Sequence, residues 1–360
     1  MKRISILLLI FCTCFVLAAW PQAPKIITFD PPGSTGTFPV SISDTGWITG
    51  QWFDVNGVSH SFVRNPEGTL TSFDVPVSGT VGSQGCEVNS RGEVAGCFWD
   101  ANGTSTGYRR TPDGEIIPIY VPGAGTGPNQ GSMAMALNDA GWIAGQDTIS
   151  ASLQYSLLVA PDGRQIIFNP PGATWSWAGM ESAINPAGAL IGGYVDSNEV
   201  YHAYVRARKG TITNFDAPSS GQGAGEGTFP MGISPNGTIV GFVQDNNELT
   251  HGFVRTPDGR FKTFDVPGAG TIVDSWEGTF AYDINAEGTI IGWYADANWV
   301  VHGFLKSSDG RITTFDGPNA STTQGQGTYP MTINSEGAIT GYYYDSEGMA
   351  HGFLGLRPHR

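Results

Sequence analysis

Residues 328–334, 338–345 and 350–354 are short runs in which apolar and polar positions alternate, separated by Ser335-Glu336-Gly337 and Ser346-Glu347-Gly348. Alternation over such lengths predicts strands joined by tight hairpins, with the closing Gly supplying the positive φ that a bulged type I turn needs. The text recurs upstream. Asn is followed three residues later by Gly at 89–92, 138–141, 185–188, 285–288 and 334–337, and Asp-Gly turns fall at 113–114, 162–163, 258–259 and 309–310. The last three Asp-Gly turns lead into strands that share an aromatic-acid-proline ending, a text found at Phe29-Asp30-Pro31, Phe73-Asp74-Val75-Pro76, Phe168-Asn169-Pro170, Phe215-Asp216-Ala217-Pro218, Phe264-Asp265-Val266-Pro267 and Phe315-Asp316-Gly317-Pro318. Ile119-Tyr120-Val121-Pro122 is a degenerate copy.

Taking Phe29, Phe73, Ile119, Phe168, Phe215, Phe264 and Phe315 as phase markers, the intervals are 44, 46, 49, 47, 49 and 51 residues. A period of ~40–50 residues with strands predicts propeller blades. Each unit contains four antiparallel strands, A to D, counted from the Gly-rich loop, so the expected fold is an all-β, seven-bladed β-propeller. The chain opens with a lone D strand at 26–30 and closes with a C strand at 351–356. Pairing the two would complete the last blade and cover its edge. The domain reading is a leader at 1–19, the propeller at 25–356 and a tail at 357–360.

Composition agrees with many turns and little helix: 51 Gly and 23 Pro, with only 14% charged residues. The net charge of −14 argues against a nucleic-acid groove, which needs clustered Lys and Arg to displace counterions. Residues 1–19 read as an export signal. Lys2 and Arg3 precede an apolar run to Leu17, and Val16, Ala18 and Ala19 offer small residues for cleavage. The expected location is secreted or periplasmic. No later run approaches the ~18 apolar residues of a spanning helix, and the mature chain is expected to be monomeric. Cys86 and Cys97 fall in one predicted hairpin, and two readings stand: a local disulfide, or two small apolar side chains filling core positions.

Within strand C the chain reads His60-Ser61-Phe62, His202-Ala203-Tyr204, His251-Gly252-Phe253, His302-Gly303-Phe304 and His351-Gly352-Phe353, while Thr106-Gly107-Tyr108 and Tyr155-Ser156-Leu157 depart from the pattern. This resembles the bacterial extracellular repeat family with a His-Ala-Phe-like signature, the HAF repeat, over nearly the whole mature chain. The resemblance implies export and a repeat architecture; it carries no established activity, so it transfers no catalytic residue.

The five histidines look like metal ligands, but equivalent residues on different blades cannot converge within the ~2 Å of a zinc ligand, which leaves a repeated hydrogen bond. The acidic turns at 54–57, 100–103, 196–199, 245–248 and 345–348 resemble fragments of calcium loops without the terminal bidentate acid; they read as B–C hairpin turns, with calcium as the one cofactor to consider.

A ring of repeats gains a unique site where copies differ. Glu87 and Asp283 stand on strand A where the other copies carry Ser, Ala, Gly or Thr, and Glu181 lies beside Ser182. They are the general acid and base if the protein is an enzyme, a polysaccharide hydrolase or lyase. The D–A loops differ too, with Trp175 and Trp177 in one and Asp274, Trp276 and Glu277 in another; Trp299 follows the B–C acid Asp296. Trp beside carboxylates is the chemistry of a sugar-binding face, and burial of these Trp under longer loops is the competing explanation. The expected function is a binding module for a saccharide or an extracellular protein partner, with a hydrolase or lyase and a purely structural surface repeat as alternatives.

Overall fold

A computed structural model describes residues 22–180, 182–271 and 277–357. The predicted leader at 1–19, Glu181, Asp274, Trp276 and residues 358–360 of the predicted tail lie outside them. The described residues form strands and turns, with no helix. The first four-stranded antiparallel unit comprises Gly36–Ile42, Ile48–Phe53, Ser59–Arg64 and Leu70–Phe73. The pattern repeats along the chain, with A strands at Thr80–Val88, Gly131–Leu137, Trp175–Trp177, Gly227–Ile233, Gly278–Ile284 and Thr328–Ile333. In the last unit the fourth strand comes from the other end of the chain: Lys25–Phe29 pairs antiparallel with Ala350–Leu356, Lys25 opposite Leu356 and Phe29 opposite Gly352.

The repeated signature has a physical meaning. Its third residue is a fully buried ring that packs edge-on against the D-strand Phe of the preceding unit: Tyr108 on Phe73, Tyr204 on Phe168, Phe304 on Phe264 and Phe353 on Phe315, with centroids 6.0–6.5 Å apart. Phe62 of the first unit meets Phe29 in the same way, at 6.0 Å. The cation ending strand C then caps the same Phe: Arg64 over Phe29, Arg110 over Phe73, Arg206 over Phe168, Arg255 over Phe215 and Lys306 over Phe264, at 4.6–5.2 Å. The units of Phe62, Tyr108, Tyr204 and Phe304 are thus fixed to the one before by both an aromatic pair and a cation–π contact, while Arg255 supplies the cation alone and Phe353 the ring pair alone. Each contact is worth about 0.5–1.5 kcal/mol beyond simple burial.

The signature His works within its own unit. Nδ1 of His60, His202, His251, His302 and His351 lies 2.7–3.1 Å from Asp74, Asp216, Asp265, Asp316 and Asp30, and Nε2 lies 3.2–3.8 Å from the Asp that opens the B–C turn. The two units without the His also lack the D-strand Asp, carrying Thr106 with Tyr120 and Tyr155 with Asn169.

Most A strands contain a bulge, falling between Pro39 and Ser41, Gly85 and Glu87, Ala134 and Ala136, Pro230 and Gly232, Ala281 and Asp283, and Pro330 and Thr332. The strand-B residue facing it must be Gly: a Cβ on Gly241 would lie 2.1 Å from the Phe229 carbonyl oxygen, and one on Gly292 1.9 Å from that of Phe280. The register of the second unit's A–B hairpin bears on the two readings of the cysteines. Cys97 stands opposite Gln84, whereas Cys86 is the extra residue of the bulge; both are completely buried and no bond joins them. A chain beginning after the leader and denatured without reductant should take up two thiol labels; an unlabelled protein would show that the bridge forms after all.

Candidate functional site

The units share a common polarity. D–A loops touch the B–C turns of the preceding unit, Asn129 N–H donating to the Gly103 carbonyl, Gly225 N–H to Glu199 and Gly325 N–H to Trp299 at 2.8–3.0 Å. At the opposite end the A–B turns are tied in series. The side-chain amides of Asn138, Asn185, Asn285 and Asn334 donate to the carbonyls of Asn185, Ser234, Asn334 and Ser43, so the last unit is bonded to the first.

Within the A–B end lies a cavity of about 170 Å³ lined by A–B segments of every unit, including Asp44, Glu87, Asp139 and Asp283. The bulges aim Glu87 and Asp283 into it, and both converge on Ser182. The Ser182 N–H donates to Glu87 Oε2 at 2.7 Å, and its hydroxyl bonds the Asp283 carboxylate. The Ser41 hydroxyl occupies the other Glu87 oxygen, while Ile284 N–H and Ile333 N–H donate to the two Asp283 oxygens at 2.7 and 2.9 Å. Burial pushes the Asp283 carboxyl up to about 6 against those bonds. The fourth unit makes this possible: seven positions separate Trp177 from Ile184, where four separate Phe229 from Ile233, and Ser182 takes a left-handed φ of 60°. With 6% and 3% of their surface open and every oxygen engaged, Glu87 and Asp283 hold the centre of the molecule together.

The D–A/B–C end is different. From Trp175 an unbroken series of ring contacts runs through Trp177, Tyr201, Phe229, Phe242, Phe280, Trp293, Tyr329, Tyr342 and Phe38 to Phe53, with successive centroids 3.8–6.0 Å apart. All but Phe280 are only half-buried. Several stand in a Gly-Thr-aromatic start to strand A, at 36–38, 227–229, 278–280 and 327–329. In the second and third units the arc stops, and Gln84 with Cys97, then Met133 with Gln146, take the corresponding places.

Trp175 and Trp177 therefore belong to the arc, as two of its members. Trp299 is on the same end, in the left-handed position of its B–C turn at φ 62°; among the described residues no aromatic ring pairs with it. Glu277 is corrected: it is completely buried, with its carboxylate against Gly270 in the place where Glu226 ties its own loop through Gly223 N–H. The B–C acids are turn caps. Oδ1 of Asp54, Asp196, Asp245, Asp296 and Asp345 accepts the backbone N–H groups two and four residues on.

No protein-family profile and no curated protein sequence matches the chain. Solved structures do match by shape. A streptogramin B lyase is 14% identical with a TM-score of 0.55, over 92% of this chain and 97% of that one. A puromycin hydrolase is 12% identical with a TM-score of 0.56, over 90% of this chain, and a prolyl endopeptidase is 11% identical with a TM-score of 0.54, over 91%. This chain spans 55% and 51% of the lengths of those two. At such identities the likeness is one of fold, a β-propeller-like arrangement of sheets.

Proposed function

We propose that the protein is an exported, seven-bladed propeller closed by its N-terminal strand, and that it acts as a binding module whose ligand face is the D–A/B–C end. The ring reading is supported by the pairing of residues 25–29 with the last unit, the bond from Asn334 to Ser43, and the packing of the first and last A strands side by side. Export rests on the leader-like residues 1–19 and on the resemblance to the HAF repeat.

One observation carries the binding reading: an arc of half-open rings that continues across five successive units on one end of the molecule. Aromatic side chains left partly in water forgo burial that a fully packed core would supply, and a contiguous exposed aromatic surface marks an interaction site. Flat rings stack on the apolar faces of sugars, so the ligand class is a saccharide. Neutral and charged oligosaccharides titrated against the protein should change its Trp fluorescence, and Trp293→Ala should weaken binding about tenfold or more, in line with loss of one stacking contact. Undiminished binding by a double variant Trp177→Ala and Trp293→Ala would remove the arc as the site.

A further inference from the structure

Where the fifth unit joins the fourth, the junction is filled by large side chains. Phe261 meets Phe215 at 6.0 Å and the buried Phe253 at 5.9 Å, and the Arg255 guanidinium lies over the rings of Phe215 and Phe261 at 4.6 and 5.9 Å. Where the third unit joins the second, strand register puts Ile119, Leu157, Val159 and Gln165 in the places of Phe215, Phe253, Arg255 and Phe261. Three rings and a cation are gone. A cavity of about 420 Å³ opens at this junction, lined by Ile119, Val159 and Gln165 together with Ile117, Tyr120 and Arg109.

Shorter side chains leave a void only where the walls do not close on it. Two bonds across the junction hold these walls in place: Gln165 Nε2 donates to the Tyr120 carbonyl at 2.9 Å, and the Arg109 guanidinium donates to the Gly141 carbonyl at 2.6 Å. The outer surface changes at the same two units. Ile117 is 44% exposed and Ile166 and Ile167 stand open beside it, at strand-D positions where the first, fourth, fifth and sixth units carry Thr71 and Ser72, Thr213 and Asn214, Lys262 and Thr263, and Thr313 and Thr314. Tyr120, 64% exposed at the mouth, stands where those four units have Asp.

The charges on the lining are matched within the fold, Arg109 lying 3.4 Å from Glu93 and Asp162 accepting from Arg164 at 2.8 Å. A charged guest would have to displace one of them. An uncharged ring would not, and it gains contacts with Ile and Val and a cation from Arg109, as Phe215 gains one from Arg255.

We propose that this cavity is a second binding site, apart from the aromatic arc, and that it takes an uncharged aromatic molecule of one or two rings in the space that rings and a guanidinium fill at the fifth unit. Its volume lies in the range of about 300–1,000 Å³ that small-molecule sites occupy, and the proposal does not rest on the saccharide reading.

The compounds 2-naphthol and decahydro-2-naphthol are both uncharged at pH 7 and share one carbon skeleton, so the pair isolates aromaticity. Calorimetric titration should show one 2-naphthol site per chain, with affinity for the saturated alcohol at least about tenfold lower. Ile119→Phe combined with Val159→Arg restores the filling of the other junctions and should abolish binding without lowering Tm. Ile117→Lys changes only the exposed wall, to the residue that the fifth unit carries as Lys262, and should weaken binding about tenfold even if the double variant does not fold. Absence of 2-naphthol binding, equal affinities for the two alcohols, or binding undiminished by Ile117→Lys would overturn the proposal. So would loss of 2-naphthol binding in Trp293→Ala, which would put the molecule on the arc instead.

Discussion

A chain lacking residues 25–32 is expected to lose on the order of 5 kcal/mol or more of folding stability, a large share of the ~5–15 kcal/mol that holds a domain together. The deletion removes every backbone bond between Lys25–Phe29 and the last unit's C strand and leaves Ala350–Leu356 as a raw edge. It takes away the Phe29 ring, on which Phe62 packs at 6.0 Å and over which Arg64 lies at 5.2 Å, so the first unit loses its lock to the last. Asp30 goes as well, leaving His351 with Asp345 alone. Thermal unfolding followed by circular dichroism should show a fall in Tm of about 10 °C or more, or no folded protein. Phe29→Ala should reproduce part of the loss. A truncated chain melting within a degree or two of the parent would mean that the N-terminal strand closes nothing.

The second large effect is a dependence of stability on pH. Asp147 and Asp283 are both raised by burial to about 6 from an ordinary value of 3.8. A group whose folded pKa is raised keeps its proton longer in the folded state, so its contribution is complete below 3.8 and declines as pH climbs through about 6, by about 3 kcal/mol for each aspartate. His251 and His302, held up chiefly by Asp265 and Asp316, act in the same direction, losing their contribution as pH rises past the ordinary histidine range. His351 adds to them; burial works against its charge, but Asp30 and Asp345 prevail. The opposing groups include Asp54 and Asp196, lowered by turn amides, Asp245, Asp296 and Asp345, where burial is outweighed by turn amides and the neighbouring His, and Asp113, Asp162, Asp258 and Asp309, lowered by hydroxyl or Arg partners; their contribution is lost only as pH falls below 3.8. Urea midpoints should therefore peak near pH 4–5 and fall steadily to pH 8. Asp147→Asn should raise the pH 8 midpoint and flatten the slope. A midpoint that rises from pH 5 to pH 8 would contradict these assignments.

How far the molecule can be read from its sequence varies with distance along the chain. The four-strand period is local, since Asn-x-x-Gly turns and two-residue alternation act within a dozen residues, and the paired departures at Thr106 with Tyr120 and Tyr155 with Asn169 are visible in the text itself. The His–Asp clamp follows from that period once strands C and D lie side by side. By contrast, Cys86 and Cys97 look bondable while the hairpin register is unknown, and the ladder that sets Cys97 opposite Gln84 places them apart. Convergence of Glu87 and Asp283 on one serine depends on the longer path from Trp177 to Ile184 and on the second, fourth and sixth units meeting at one place. The aromatic arc is spelled out as Gly-Thr-Phe or Gly-Thr-Tyr, yet it resembles ordinary repeat consensus, and attention to positions where copies differ passes over it.

Hydrogen–deuterium exchange of the protein with and without the tightest-binding oligosaccharide of the titration tests most directly which end of the molecule is its working face. Protection should concentrate in the D–A loops, the B–C turns and the adjoining strand ends that carry Phe242, Trp293 and Tyr342, with the A–B turns around Glu87 and Asp283 unchanged. Protection confined to those A–B turns would contradict the account and return attention to the buried carboxylates.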